Sequence, residues 1–366
     1  MSMALPLDAV AAPETAPAGN TYRDALAAAM RSAMADHDHT LILGQGVTDH
    51  KGIFGTTTGL LDAFGPERMI ETPLAEDAVT GICIGAALNG LYPINTHIRA
   101  DFGLLAVNQL VNLAAKYRYM FGGLYEVPML VRMVVGRSWG QGAQHSQSPQ
   151  SLFAHNPGLT VIMPSSPRAI LTDYAHAIAH HRGPVVAIEH RLMYDLAFED
   201  EDGDEAFPPM ATRLVRRGRD VTIAATSIMV LEAKRAARHL ASHGIDCEII
   251  DLNAVSHIDR ELVLASLAKT GRLLVADTSW QAFGVAAELS RIVAETDPRL
   301  LLAPVRSLGM QPCPCPTAKA LEDLFYPSLD RFVDCAATLV RGEGHGIPLP
   351  GETSMADVYK HFKGPF

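Results

Sequence analysis

From Thr21 onward, short apolar runs of strand length alternate with runs of helix length, and this alternation limits the possible fold more than any other feature of the chain. Residues 40–44, 91–96, 128–135, 160–163 and 184–189 read as strands. Residues 128–135 contain almost no polar side chain, so both faces of that strand must be covered. Residues 22–35 and 78–89 read as helices. A long helix is expected over 100–120, where Leu104, Val107, Leu110, Val111 and Ala114 recur at helical spacing. Strands that alternate with helices predict a parallel sheet with helices on both faces.

The rhythm breaks over 198–213. A run of Glu, Asp and Gly followed by Pro208 and Pro209 can bury little apolar surface and reads as a linker. It then restarts with a strand over 220–226, a helix over 230–243 stopped by Gly244, and strands over 247–252 and 272–276. The expected architecture is an α/β protein of two doubly wound parallel-sheet domains, 21–197 and 214–341. An N-terminal tail (1–20) and a C-terminal extension (342–366) flank them. The tail is rich in Ala and Pro and has no basic start followed by an apolar core, so it reads as disordered and not as a signal peptide. The extension holds a short helical run over 355–362.

Composition narrows the function. With 366 residues, 48% hydrophobic and 19% charged, the chain suits a globular protein with large cores, and no apolar run reaches the ~20 residues of a membrane span. The net charge of −10 gives no handle for nucleic acid or an anionic membrane surface. These features fit a cytoplasmic protein. The five cysteines are irregularly spaced, and Cys313-Pro-Cys315 lacks both the two-residue gap and the second pair of a zinc site, so no metal is expected. The glycines of 136–142 do not match G-x-G-x-x-G. No P-loop lysine motif is present.

Two segments about seventy residues apart hold groups able to move protons. Glu76 follows Thr72-Pro73-Leu74-Ala75 at the start of a helix. A carboxylate there has two readings: it complements the helix N–H groups and dipole, or it exchanges a proton with a ring nitrogen over a cleft. His145 lies in a Gly-, Ser- and Gln-rich loop after a buried strand, where open parallel sheets bind ligands. It is suited to proton transfer near neutral pH or, equally, to bonding loop carbonyls. Phe102 opens the long helix just after His97 and Arg99. An arginine in an apolar stretch needs a partner, either a carboxylate such as Asp101 or Asp77 or an anionic ligand. With no recognisable phosphate or metal site, the chain looks like half of an active site.

Together these motifs resemble the β subunit of the thiamine-diphosphate-dependent 2-oxo acid dehydrogenases, the pyrimidine-binding half of their decarboxylating component. The resemblance runs from Thr21 to about Arg341. It is carried by Phe64-Gly65-Pro66-Glu67-Arg68, Thr72-Pro73-Leu74-Ala75-Glu76, Ala143-Gln144-His145-Ser146-Gln147 and His155-Asn156-Pro157-Gly158. It implies that Glu76 hydrogen-bonds the aminopyrimidine ring, that Phe102 stacks on it, that Ile98 lines it, and that His145 lies near the substrate and the acyl acceptor. Mg²⁺ and the diphosphate are then expected on an α chain, in an assembly of two α and two β subunits, with a lipoyl-bearing acyltransferase as a further partner. Two positions depart from the family pattern. Gln45 replaces a glutamate implicated in a proton route between cofactors. Arg99 replaces an apolar or hydroxyl side chain and, with His97, Trp139 and Gln144, points to a substrate other than pyruvate. The same features leave two other readings open: the small half of a split ketol transferase, and a non-catalytic scaffold for an α chain.

Overall fold

The computed structural model describes residues 21–136, 140–198 and 207–351. The tail expected over 1–20, Trp139, the acidic middle of the linker and the helix expected over 355–362 lie outside these residues.

The first domain holds strands β1 (Thr40–Gly44), β2 (Met69–Glu71), β3 (Tyr92–His97), β4 (Met129–Val135), β5 (Thr160–Ile162) and β6 (Pro184–His190). They form one parallel sheet in the order β2-β1-β3-β4-β6-β5. Every residue of β4 is buried, as a strand that is apolar but for Arg132 requires. Helices Tyr22–Asp36 and Pro167–Ala179 pack on each other over one face of the sheet. The first starts with a reciprocal cap between Thr21 and Asp24 and buries Leu26, Met30 and Met34. Helix Glu76–Leu88 covers the other face and turns Val79, Cys83, Ile84 and Ala87 inward.

The second domain holds β7 (Arg213–Arg216), β8 (Val221–Ala225), β9 (Cys247–Asp251), β10 (Leu273–Trp280) and β11 (Arg306–Met310), in the order β11-β10-β8-β9-β7. Here the structure refines the expectation of a purely parallel sheet. β7 runs antiparallel to β9 at one edge, because the chain arriving from the linker lies down along the open edge before the first crossover. Its Arg-Leu-Val-Arg sequence is too short and charged to read as a strand.

The long helix expected over 100–120 is also broken up. It is an α-turn (Ala100–Gly103), a 3₁₀ turn (Leu104–Ala106), a π-helical stretch (Asn108–Ala114) and a last α-turn (Tyr117–Met120). Its entry lies tight against β4: a Cβ at Gly103 would stand 2.8 Å from the Met133 side chain. The widened turns still bury Leu110 and Ala114, so the apolar spacing looks the same from sequence.

The domains meet through a buried polar seam. Gln150 Nε2 donates to Asp277 Oδ1 at 2.6 Å, Ser165 Oγ to Asp251 Oδ2 at 2.7 Å and Asn253 Nδ2 to Asp173 Oδ2 at 2.7 Å. Arg213 pairs with Asp173 at the seam, so the end of the linker is docked and not loose.

Candidate active site at the switch point of the first sheet

In the first sheet β2 lies on one side of β1 and β3 on the other. The connections leaving the carboxyl ends of β1 and β3 therefore diverge and open a crevice, the place where open α/β sheets bind ligands. A cavity of about 290 Å³ lies there. β1 delivers Gln45 to it, β3 delivers His97, Ile98 and Arg99, and the next turn delivers Phe102. Gly44 permits the close passage of β1 and β3, since a Cβ on it would stand 2.5 Å from the Thr96 carbonyl.

Glu76 is the first residue of its helix, and Ala75 before it offers no side-chain cap. Its carboxylate is nearly buried, lines the cavity, and accepts from Gln45 Nε2 at 3.2 Å. Glu71 fixes the loop that carries Gln45 by accepting from Gly46 N at 2.6 Å and Thr48 N at 3.1 Å. The position where the family pattern has an ionisable side chain thus holds an amide that donates to the candidate acid.

Phe102 is 37% exposed although apolar, and its ring meets that of His145 edge-on at a centroid distance of 5.1 Å. The long loop after β4 thereby brings His145 within reach of the Phe102 face. His97 is buried beside them, and Asn95 Nδ2 lies 3.2 Å from its Nε2. Burial pushes the His97 imidazole down to about 4, against the opposing pull of Glu76, so it is neutral near pH 7.

Glu76, His97, Ile98, Arg99, Phe102 and His145 therefore converge on one cavity. Gln144 does not join them: it is exposed, and Gln141, three residues earlier, lines the cavity in its place. Arg99 Nη1 donates to the Gly136 carbonyl at 2.9 Å, and Asp101, one of the two carboxylates weighed from sequence, acts on it electrostatically.

Three further lining residues escaped the sequence reading: Phe54, Leu74 and Arg191. Phe54 and its neighbour Ile53 carry φ of 58° and 37°, a left-handed pair that bulky side chains rarely adopt and a signature of functional loops. This conformation sets the Phe54 ring 3.8 Å from the Arg191 guanidinium.

Behind the site lies a buried ionic network. Arg132 of β4 donates to both oxygens of Glu189 on β6, at 2.6 and 2.9 Å, and both side chains are fully buried. Tyr174 donates to Glu189 Oε1 at 2.5 Å and Tyr194 to Oε2, while Arg132 Nη2 reaches Thr56 Oγ1 at 3.2 Å. The network ties the Phe54 loop to the strand end from which Arg191 emerges. Among the described residues no cluster of three or more His, Cys, Asp or Glu side chains could hold a metal, and the five cysteines are free.

A two-domain chain with an acid, an aromatic face and a histidine gathered at the switch point of a six-stranded parallel sheet defines a protein of transketolase-like architecture. Comparison bears this out. Residues 18–195 match the family described as "Transketolase, pyrimidine binding domain" and residues 211–331 that described as "Transketolase, C-terminal domain". Pyruvate dehydrogenase E1 component subunit beta-2, mitochondrial, of Oryza sativa subsp. japonica is 36% identical over 90% of this chain and 88% of its own length. The acetoin:2,6-dichlorophenolindophenol oxidoreductase subunit beta of Cupriavidus necator is 38% identical over 80% of this chain and 86% of its own. A solved split-gene transketolase, described as an inactive beta4 tetramer, superposes with a TM-score of 0.72 over 88% of this chain and 98% of its own at 22% identity, which shows the shared fold. The chain belongs to the family of 2-oxo acid dehydrogenase E1 β subunits, within the transketolase-like superfamily.

Proposed function

We propose that this chain supplies the pyrimidine end of a thiamine-diphosphate site in an enzyme that decarboxylates a 2-oxo acid and passes the remaining unit to a lipoyl group or similar carrier. The observation that carries the reading is the meeting of Glu76 with the half-exposed Phe102 in a single cavity at the switch point. The residues present fit the group. An aromatic face open to the cavity, an apolar flank from Ile98 and a buried carboxylate are what a protonatable heteroaromatic ring requires. Glu76 holds and returns a proton at a ring nitrogen of the pyrimidine, Phe102 supports its face, and Gln45 fixes the carboxylate through its amide. His145, beside Phe102, moves protons on the substrate side. When bound, the cofactor would supply a nucleophilic thiazolium carbon for the 2-oxo carbonyl and a cationic ring as sink for the electron pair released with CO₂.

The diphosphate, with Mg²⁺, falls to an α chain in an assembly of two α and two β subunits, a reading supported by the lack of any metal-holding cluster of His, Cys, Asp or Glu among the described residues. No helix among the described residues is long and apolar enough to cross a membrane, and the proposal places the enzyme in the cytoplasm. Calorimetry tests the half-site directly. Thiamine diphosphate with Mg²⁺ is expected to bind tightly to the α–β assembly and weakly to this chain alone. Tight, Mg²⁺-dependent binding by the isolated chain refutes it.

A further inference from the structure

Asp101 joins two parts of the site that arrive on different connections. It is the residue before Phe102, in the α-turn Ala100–Gly103 that follows β3, and it is buried. Its Oδ1 accepts two hydrogen bonds from Gln147, one from the backbone N–H at 3.1 Å and one from Nε2 at 3.0 Å. Gln147 lies two positions after His145 on the loop that follows β4. The same two segments meet again through their rings, since Phe102 and His145 stand edge-on at 5.1 Å. One carboxylate oxygen thus backs up the contact that sets the spacing between the aromatic face and the histidine.

The flanks of the His145 loop are held by the second domain. Gly142 takes a φ of 72°, and a Cβ on it would stand 2.8 Å from Thr317 Oγ1. Just beyond Gln147, Ser148 Oγ lies 2.9 Å from Thr278 Oγ1, and Gln150 Nε2 donates to Asp277 Oδ1. These anchors sit on one domain, whereas Glu76 and Phe102 sit on the other, so the Asp101 bonds refer the histidine to the residues it must work beside. An oxygen that takes both the backbone N–H and the side-chain amide fixes the orientation of Gln147 as well as its distance. The carboxyl itself is placed at a cost: burial pushes it up, and the two Gln147 bonds together with the charge of Arg99 pull it back.

We propose that Asp101 is a positioning residue that holds His145 at the Phe102 face through Gln147. The proposal rests on the proton-transfer role proposed above for His145 and adds the residue that sets its geometry.

The test uses the assembled α–β enzyme, with ferricyanide as electron acceptor and pyruvate, 3-methyl-2-oxobutanoate and 2-oxoglutarate as donors. Asp101→Ala is expected to speed hydrogen–deuterium exchange of the Gln147 amide, read by mass spectrometry with residue-level fragmentation, by roughly 10- to 100-fold, the worth of one bond to a charged group. With the fastest donor it is expected to lower kcat by up to ~10²-fold with little change in KM, as a small misplacement of a working group does. Asp101→Asn, which keeps an oxygen for both bonds, recovers most of the protection and most of kcat. The loss is expected to pass through His145, so that Asp101→Ala combined with His145→Ala is no slower than His145→Ala alone. Gln147→Ala, which removes the Nε2 bond alone, is expected to fall between wild type and Asp101→Ala, and it supplies the same cycle if Asp101→Ala does not assemble. Exchange at Gln147 unmoved in Asp101→Ala overturns the tether, whatever reaction the enzyme runs. Losses that multiply in the double variant overturn the action through His145 and leave Asp101 as part of the fold. So does an Asp101→Asn as slow as Asp101→Ala with its Gln147 amide still protected, which assigns the effect to the charge. A wild-type assembly that turns over none of the donors refutes the functional reading and the positioning role with it, and a Gln147 amide that still responds to Asp101→Ala tells that result from a missing tether.

Discussion

Removing the charge of Glu189 tests how firmly the scaffold holds the site. The carboxylate accepts four hydrogen bonds, two from Arg132 and one each from Tyr174 and Tyr194, and none of its side chain reaches solvent. Glu189→Gln keeps the shape but leaves one carbonyl to accept and turns an N–H₂ toward donors, so at least half of these bonds are lost. At ~1.5–3 kcal/mol for each bond to a charged group, the loss comes to about 3–6 kcal/mol. This agrees with the ~3–5 kcal/mol typical of stripping one partner from a buried ion pair. Urea unfolding followed by near-ultraviolet circular dichroism reports on the buried tyrosines and measures the change. A double variant, Arg132→Met with Glu189→Leu, removes both charges at once and is expected to recover at least half of the lost stability. A loss below ~1 kcal/mol in Glu189→Gln, or a double variant as unstable as the single, refutes the account of the loss as Arg132 left buried without its counter-charge.

Two further outcomes follow from the site itself. Glu76→Gln is expected to lower turnover of the α–β assembly by roughly 10²–10⁴-fold while changing thiamine diphosphate affinity far less, as removal of a general acid–base group does; calorimetry and steady-state rates separate the two, and an affinity loss that accounts for the whole defect rejects the proton-transfer role. His97 titrates at about 4 in the fold against ~6.5 unfolded, so the unfolded chain binds the extra proton and stability falls as pH drops through that window, by at most ~1.4 kcal/mol per pH unit; denaturant midpoints from pH 7 to 4 are expected to fall less steeply in His97→Gln, and parallel curves contradict the burial argument.

The first sheet was legible because its strands are buried on both faces and so spell themselves out as apolar runs. β4 is the clearest, and the sequence limits of β1 coincide with those observed. β2, β5 and β7 are three or four residues long, too short for periodicity to register, and only β5 was anticipated. The helix after β3 was readable as a segment but not as a geometry, because π and 3₁₀ turns bury the same residues that an α-helix would. Glu76, His145 and Phe102 line one cavity; Glu76 and His145 were singled out at element edges, where a parallel sheet directs ligands, and Phe102 through the family resemblance.

Arg191 was invisible for the opposite reason. In sequence it is a charged residue ending an apolar run, the ordinary place for an arginine to leave a strand for solvent. Only the sheet order shows otherwise. β6 lies two strands from β3, and its end is turned back toward the crevice by Glu189, whose grip on Arg132 and Tyr194 sets the path of the 3₁₀ turn Arg191–Met193. The strained Phe54 then closes over the guanidinium from the β1 side. Each of these choices costs stability: a buried ion pair and two residues with left-handed backbone. A chain that only had to cover an α subunit would gain by losing both. Their joint presence around Glu76 and Phe102 argues against the scaffold reading and for a cavity shaped by what must enter it.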